Sequence, residues 1–307
     1  MQSLKSKMII SLIRNRHLFK FKLKPEVVDE TFSVTDFREG IAKASVRMNK
    51  IPDDMQVKAV DVDGMTGEWI IPENAPQDKV LFYIHGGGFI SGDCDSHRMH
   101  VMKFTKGTGI KTLHINYRLA PEYPFPGAID DCVKAYEWLL SEGYKANNIV
   151  VGGESAGGTL TLSLLMALKQ KGIQYPKAAF SISPVTDLSC QANSFKYNFK
   201  KDIAPLNSWI IWTQYYIGDS DITDPLLSPQ YGDPTGFPPL FIVIGSNEIH
   251  LDDATSFAQK AKEHGVEVDF KVWDGMVHAF PLLAPIFKEA TEAMLEICEF
   301  IHSKLAE

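Results

Sequence analysis

Short apolar runs alternate with helical patterns along most of this 307-residue chain, and no other feature limits its fold as much. After residue 55, apolar runs bounded by Gly, Pro or Asp predict eight strands: VKAVDV, GEWIIP, KVLFYIH, KTLHINYR, NIVVGG, AAFSIS, PLFIVIG and VDFKVWD. Apolar residues at helical spacing predict helices at 98–108, 126–142, 156–171, 252–264 and 285–304. This alternation indicates an α/β fold with a mostly parallel sheet covered on both faces. The first two strands lack a helix between them, which predicts an antiparallel start.

Residues 188–225 interrupt the alternation with an aromatic-rich stretch that has no clear strand pattern. We interpret this stretch as a helical insertion between two strands of the sheet. Its aromatic side chains either line a pocket or form the core of the insertion itself, and the second role is expected for most of them: Phe195, Tyr197, Phe199, Trp209, Trp212, Tyr215 and Tyr216.

Composition argues against a nucleic-acid partner and against a chain that spans a membrane. The formal net charge is −7, so no overall basic field attracts nucleic acid, and no apolar run reaches membrane-spanning length. The cysteines are widely spaced and form no CxxC pair. We therefore expect free thiols in a reducing compartment, the cytoplasm, at Cys94, Cys132, Cys190 and Cys298.

The N-terminal segment is strongly basic, because residues 1–24 contain seven Lys or Arg and no acidic residue. Leu4, Met8 and Leu12 fall on one helical face. We expect a helix that packs this apolar face on the body of the protein, with a membrane-surface helix as the alternative. Basic residues interrupt the apolar stretch too early for a signal peptide, and stable membrane insertion is not expected.

A candidate nucleophile lies in the stretch GGESAGG, which fits the pattern G-x-S-x-G around Ser155. The stretch follows a predicted strand and precedes a predicted helix, and a serine on such a sharp turn is typical of a nucleophile elbow. Gly153 and Gly157 stand two residues before and after the serine, where a Cβ atom would clash. The alternative is a serine in a plain glycine-rich turn.

Three successive glycines follow the predicted strand in FYIHGGGFISGD. Backbone N–H groups in such a loop stabilise the charge that develops on a carbonyl oxygen during acyl transfer. The HGGG form predicts an oxyanion hole from Gly86, Gly87 and Ala156, with His85 and Gly88 supporting the loop. A phosphate-binding loop is the alternative, but the Lys and Ser/Thr of a P-loop are missing.

A serine nucleophile needs a histidine base, and that histidine needs an acid that fixes its tautomer. His278 follows the last predicted strand, at the sheet edge where reactive groups gather. Glu248 follows the preceding strand directly and is the preferred acid. Asp252 is the alternative, although it and Asp253 begin the next helix, where one of them is expected to cap the N-terminus.

Three other histidines are less suited to a catalytic or metal-binding role. His250 shares the loop of the predicted acid and would compete with it for space. His97 and His100 are spaced like a weak metal pair, but no third ligand is evident. We therefore expect neither a metal nor another cofactor.

Five motifs, in this order and spacing, resemble the bacterial hormone-sensitive-lipase family of α/β-hydrolase esterases: HGGGF, YRLAPE, FPGAIDD, GGESAGG and GMVHAF. The resemblance covers nearly the whole chain from about residue 30. It implies the α/β-hydrolase fold, with an eight-stranded sheet in a catalytic domain of residues 51–187 and 226–307. It also implies a helical cap built from N-terminal helices in residues 1–50 and from the insertion at 188–225. Relatives often dimerise through the edge of the last strand, so a homodimer is an open expectation.

The chain departs from the commonest family pattern at two positions. Glu154 stands where Asp usually precedes the serine, and SNEIHLDD replaces the usual Asp-Pro-Leu of the acid loop. A subgroup of the family uses Glu thirty residues before the histidine, which is the spacing of Glu248 and His278. The string DPL at 224–226 is therefore interpreted as unrelated to the acid.

The resemblance implies a serine carboxylesterase that cleaves small esters with short-to-medium acyl chains. An arylformamidase, thioesterase or amidase on the same fold shares the chemistry, and the sequence does not separate these activities. A non-catalytic receptor is disfavoured, because Ser155, Glu248 and His278 are all present. The basic N-terminus keeps a membrane-associated lipase among the alternatives.

Overall fold

The structure is a computed structural model that describes residues 2–19, 26–45 and 50–306. In this part of the chain, eight strands form one sheet: β1 (Met55–Val62), β2 (Met65–Pro72), β3 (Val80–Ile84), β4 (Thr112–Ile115), β5 (Ile149–Glu154), β6 (Ala178–Ile182), β7 (Leu240–Gly245) and β8 (Val268–Trp273). Their order in the sheet is β1-β2-β4-β3-β5-β6-β7-β8. The pairs β1–β2 and β2–β4 are antiparallel, and all other neighbours are parallel. The predicted mostly parallel sheet with an antiparallel start is confirmed.

The helices of the described residues are α1 (Leu4–Arg14), α2 (Arg16–Phe19), α3 (Val34–Ser45), α4 (Cys94–Thr108), α5 (Gly127–Ser141), α6 (Ala156–Lys171), α7 (Asn193–Tyr197), α8 (Ser208–Ile217), α9 (Leu251–Glu263) and α10 (Lys288–Ala306). None of them is both long enough and apolar enough to cross a bilayer. Helix α4 begins four residues before the predicted start. The reason is a capping box, in which the Asp93 carboxylate accepts the Ser96 N–H and the Ser96 hydroxyl accepts the Asp93 N–H.

Alternate residues of β3 point to opposite faces of the sheet. Phe82 and its neighbours two residues away pack in the cluster that contains α5 and α6. Leu81 and Tyr83 pack in the cluster that contains α4 and α10. Since all of these side chains are buried, the central strand is apolar on both faces, as expected for a parallel sheet between two helical layers. The predicted α/β-hydrolase architecture is confirmed at this level.

The N-terminal segment and the 188–225 insertion contact each other. Val27 forms a parallel bridge with Leu206, and the Trp212 ring packs against Phe32 and Phe37 at 6.4 and 5.4 Å between centroids. The insertion carries the short helices α7 and α8, so its helical character is as expected. These contacts favour a joint cap, and the division into cap and catalytic domain stays a prediction.

The predicted orientation of α1 is wrong. Leu4, Met8 and Leu12 are 85%, 59% and 47% exposed, whereas Ser6 and Ile10 on the opposite face are buried. The rotation of the helix is explained by Glu289 at the start of α10, which binds polar residues of this opposite face.

Glu289 holds the first turn of α1. Its carboxylate accepts hydrogen bonds from the Ser3 hydroxyl at 3.0 Å and the Ser6 hydroxyl at 2.9 Å, and from the Ser3 N–H. Burial acts to raise the pKa of Glu289, but these hydrogen bonds outweigh it and hold the pKa below its usual value. The helix is therefore attached to the body through Ser3 and Ser6 rather than through its most apolar face.

We predict that Glu289→Gln loosens α1, because a hydrogen bond to a charged acceptor contributes about 1.5–3 kcal/mol and one to a neutral acceptor about 1 kcal/mol. Trypsin should cut within residues 5–14 faster in this variant than in the wild type. Glu292→Gln, one turn further along α10, is the matched control. Because the pKa of Glu289 is lowered by folding, its stabilising effect should also fade as the pH falls through the acidic range. Equal cleavage rates in the two variants would contradict this account.

Candidate active site

Ser155 occupies the sharp turn between β5 and α6. Its backbone has φ +59° and ψ −125°, a conformation that residues with a side chain rarely adopt. The Ser155 N–H donates to the Ile182 carbonyl oxygen at 2.8 Å and fixes the turn at the end of β6. Strain of this kind persists only where the surrounding structure enforces it, and it is concentrated at functional sites.

The two glycines of this turn are required by a close approach to β3. A Cβ atom on Gly153 would lie 2.2 Å from the Ile84 carbonyl oxygen, and one on Gly157 would lie 2.0 Å from the same atom. Both distances are far below van der Waals contact. The glycines predicted for the elbow are therefore placed where a side chain does not fit.

The structure brings Ser155, His278 and Glu248 together. The His278 Nε2 atom lies 2.9 Å from Ser155 Oγ, and the His278 Nδ1 atom lies 3.1 Å from Glu248 Oε2. A carboxylate only accepts hydrogen bonds, so Nδ1 carries the proton and Nε2 accepts from the serine hydroxyl. A hydrogen-bonded arrangement of this kind can activate a hydroxyl as a nucleophile.

Glu248 is held by donors other than the histidine. Its Oε1 atom accepts the Gly245 N–H at 2.6 Å and the Ser183 hydroxyl at 2.8 Å. The Ser183 oxygen in turn accepts the Ala279 N–H at 3.0 Å, next to His278. Ser183 thus connects the acid to the histidine loop, a contact that the sequence pattern did not indicate.

Asp202 of the insertion also binds both loops, and sequence reasoning missed it. Its carboxylate accepts the Ile249 N–H, beside Glu248, and the His278 N–H, each at 3.1 Å. Burial acts to lower the pKa of His278. The hydrogen bond and charge of Glu248, with the charges of Asp202 and Glu154, outweigh this effect and raise the pKa.

The glycine loop departs from the prediction at Gly86. The Gly86 N–H donates to Glu154 Oε1 at 2.7 Å, so it is not available for an oxyanion, and this prediction is wrong. Glu154 also accepts from the Tyr83 hydroxyl, and burial raises its pKa to about 7. The residue that precedes the serine therefore fixes the loop through its side chain.

The other predicted loop residues lie beside the serine turn. In the described part of the chain, no acceptor is bonded to the N–H groups of Gly87, Gly88 or Ala156. Gly88 has φ +65°, and a Cβ atom there would meet the Trp212 ring at 2.5 Å. The His85 Nδ1 atom lies 2.7 Å from the Gly86 oxygen, and its ring stacks on Tyr117. Unlike the Gly86 N–H, the Gly88 N–H thus has no acceptor among the described residues.

The alternative acids and bases lie elsewhere. Asp252 accepts the Ser194 N–H at 2.9 Å and the Tyr197 hydroxyl at 2.6 Å, so it binds α7 rather than His278 or the N-terminus of its own helix. His250 is buried edge-to-face against Trp209, and neither of its ring nitrogens has a hydrogen-bond partner among the described residues.

Metal-ligating side chains converge at a different point from the one that the sequence suggested. His97 stacks on His85, and its Nε2 atom lies 3.4 Å from Glu154. Among the described residues, His97 and His100 are not part of a cluster of potential metal ligands. Glu68, Cys94 and His114 place ligand atoms within 4.8 Å of one another. Arg98 already donates two hydrogen bonds to Glu68, at 2.8 and 2.6 Å, so the charge of this group is balanced by the protein itself.

Aromatic residues of the insertion cover the serine site. The Trp209 ring lies 5.4 Å from the His278 ring, and Trp212 packs over Gly88. One cleft, of about 390 Å³, is lined by Asp202, and another, of about 850 Å³, is lined by Trp212; Ser155 and His278 line neither of them. Trp209 and Trp212 are thus more than a core of the insertion, since they form a wall over the candidate site.

Comparison with known proteins places this geometry in a family. Residues 81–282 match a family described as alpha/beta hydrolase fold. An esterase from Acinetobacter venetianus is 35% identical over 253 residues, covering 81% of this chain and 82% of that protein. An acetyl-hydrolase from Streptomyces hygroscopicus is 36% identical, covering 81% and 83%. The crystal structure of an esterase from the bacterial hormone-sensitive lipase family superposes with a TM-score of 0.89, at 34% identity over 99% of each chain.

We predict that Ser155→Gly is more stable than Ser155→Ala by about 1 kcal/mol, because only glycine relieves the strained backbone. Both variants lack the hydroxyl, so the comparison isolates the backbone. Urea unfolding of the two proteins measures the difference. If alanine is as stable as glycine at this position, the turn is not strained.

Proposed function

We propose that this chain, which belongs to the hormone-sensitive-lipase family of α/β-hydrolases and is a carboxylic ester hydrolase, works through an acyl-enzyme on Ser155. The observation that carries the proposal is the continuous hydrogen-bonded series Ser155–His278–Glu248 at 2.9 and 3.1 Å. The series meets the geometric requirement for general-base activation of a serine.

In the proposed reaction, Ser155 Oγ attacks the ester carbonyl carbon while His278 Nε2 takes the hydroxyl proton. The imidazolium that forms is stabilised by the Glu248 carboxylate. His278 then gives the proton to the leaving alcohol, which leaves the acyl group on Ser155. A water molecule then attacks the acyl carbon while His278 takes one of its protons. The bond between the acyl carbon and Ser155 Oγ breaks, His278 returns the proton to Oγ, and the carboxylic acid is released.

The N–H groups of Gly87, Gly88 and Ala156 are proposed to bind the oxyanion. Their lack of other acceptors in the described residues supports this role. Each such donor contributes about 3–4 kcal/mol of transition-state stabilisation. Glu154 acts indirectly as a positioning residue, because it fixes Gly86 at the start of the loop.

Short-to-medium acyl esters are the proposed substrates. The large rings of Trp209 and Trp212 pack against His278 and Gly88, which supports a short acyl group at this site, and one relative is named an acetyl-hydrolase. Rates on p-nitrophenyl esters from acetate to laurate test this proposal directly. A maximum at laurate would contradict it.

The triad proposal predicts a ranked loss of kcat. Ser155→Ala should lower kcat by about 10⁶-fold, and Glu248→Ala by about 10³–10⁴-fold, because the acid only orients and stabilises the histidine. Asp252→Ala is the control and should cost less than about tenfold, since its carboxylate binds α7. A larger loss in the Asp252 variant than in the Glu248 variant would move the acid to Asp252.

Asp202 is proposed as a positioning residue that also sets the pKa of His278. Asp202→Asn keeps one acceptor oxygen but removes the charge that raises this pKa. The catalytic base is the neutral imidazole, so a lower pKa keeps it active in more acidic solution. The acidic limb of kcat/KM should therefore move to lower pH in this variant. Asp221→Asn lies in the same insertion, but its carboxylate accepts from Thr223, so this variant should leave the limb in place. A limb that stays fixed in Asp202→Asn would reduce Asp202 to a structural role.

A further inference from the structure

Within the described part of the chain, helix α1 presents an exposed apolar stripe to solvent. Leu4, Met8 and Leu12 are spaced by four residues and lie on its exposed face, while Ser6 and Ile10 attach the opposite face to the body. The exposure continues in α2, where Leu18 and Phe19 are 53% and 69% exposed. A surface helix normally turns such a stripe inward, so an outward stripe on an anchored helix indicates an interaction surface.

Basic side chains flank the stripe on both sides. At 100° per residue, Lys5 falls on one side of it, and Lys7 and Arg14 fall on the other. All three are exposed, and none has an ion-pair partner in residues 2–19, 26–45 or 50–306. Acidic residues are absent from the first 24 positions, although the whole chain has a net charge of −7. The positive charge is thus concentrated around the apolar stripe.

We propose that α1 and α2 form a docking surface for an anionic lipid bilayer. The exposed apolar side chains enter the boundary between headgroups and acyl chains, and the flanking bases bind anionic headgroups. The complementary charge favours a bilayer over a second copy of the same face, because two copies would bring their basic side chains together. A nucleic acid would pair with the basic side chains but would leave the apolar stripe exposed to water.

The surface adjoins a cleft that includes Asp202, whose carboxylate accepts the His278 N–H. The cleft of about 390 Å³ is lined by residues 14–17, from the junction of α1 and α2, and by residues 202–206 of the insertion. Arg16 donates to the Ile203 carbonyl oxygen at 2.7 Å and so fixes the helices to that wall. A chain docked through α1 would hold this cleft next to the lipid. Binding itself does not depend on the proposed catalytic mechanism.

Co-sedimentation of the full chain with vesicles tests the proposal. We expect binding to phosphatidylglycerol vesicles, much weaker binding to phosphatidylcholine vesicles, and loss of binding as salt rises. The combined variant Leu4→Gln, Met8→Gln and Leu12→Gln should bind phosphatidylglycerol about tenfold or more weakly. Val272→Gln with Leu295→Gln removes apolar side chains of similar exposure elsewhere and should bind like the wild type.

A charge variant separates the two contributions. Replacing Lys5, Lys7 and Arg14 with Gln should weaken binding to phosphatidylglycerol by about 100-fold and reduce its salt dependence. Thermal melting and the rate on a soluble butyrate ester check that each variant is folded. The proposal is overturned if the wild type does not bind phosphatidylglycerol, or if the apolar variant binds as well as the control. A change in oligomeric state without a change in vesicle binding would identify the stripe as a self-association surface instead.

Discussion

The carbonyl oxygen of Ile84, at the end of the central strand β3, is the constraint on which the site depends. The turn that carries Ser155 passes so close to it that neither Gly153 nor Gly157 has room for a Cβ atom. The same strand end leads directly into the glycine loop. A single backbone position therefore fixes the distance between the nucleophile and the donors proposed for the oxyanion. Because this geometry exists before substrate binds, it costs no reorganisation during the reaction.

The proposed acid and base follow neighbouring strands, and the insertion joins their loops. Glu248 follows β7, His278 follows β8, and Asp202 binds a backbone N–H in each of the two loops. Trp209 packs edge-to-face against the His278 ring, with the ring centroids 5.4 Å apart. Charges interact strongly in such a buried site. Asp202 of the insertion therefore affects His278 electrostatically, and Trp209 affects it sterically. Changes in the insertion are thus coupled to the chemistry.

Sequence reasoning succeeded where the signal is local and failed where it depends on tertiary contact. The strand, turn and helix around Ser155 and the proximity of His278 follow from short motifs at the ends of parallel strands. The role of Gly86 could not be predicted from a local motif, because its N–H donates to the side chain of Glu154, 68 positions away. No motif surrounds Asp202, so nothing in the sequence marks it. The outward face of α1 was likewise unpredictable, since the hydrophobic pattern of a helix does not show which polar residues a distant carboxylate binds.

Covalent labelling with diethyl p-nitrophenyl phosphate, followed by peptide mass spectrometry, tests the central claim most directly. The account predicts one adduct per chain, on Ser155, formed in step with loss of activity. It also predicts that His278→Ala reacts far more slowly, because the hydroxyl is no longer activated. Complete inactivation with the adduct on any other residue, or equal labelling rates in the two proteins, would contradict it.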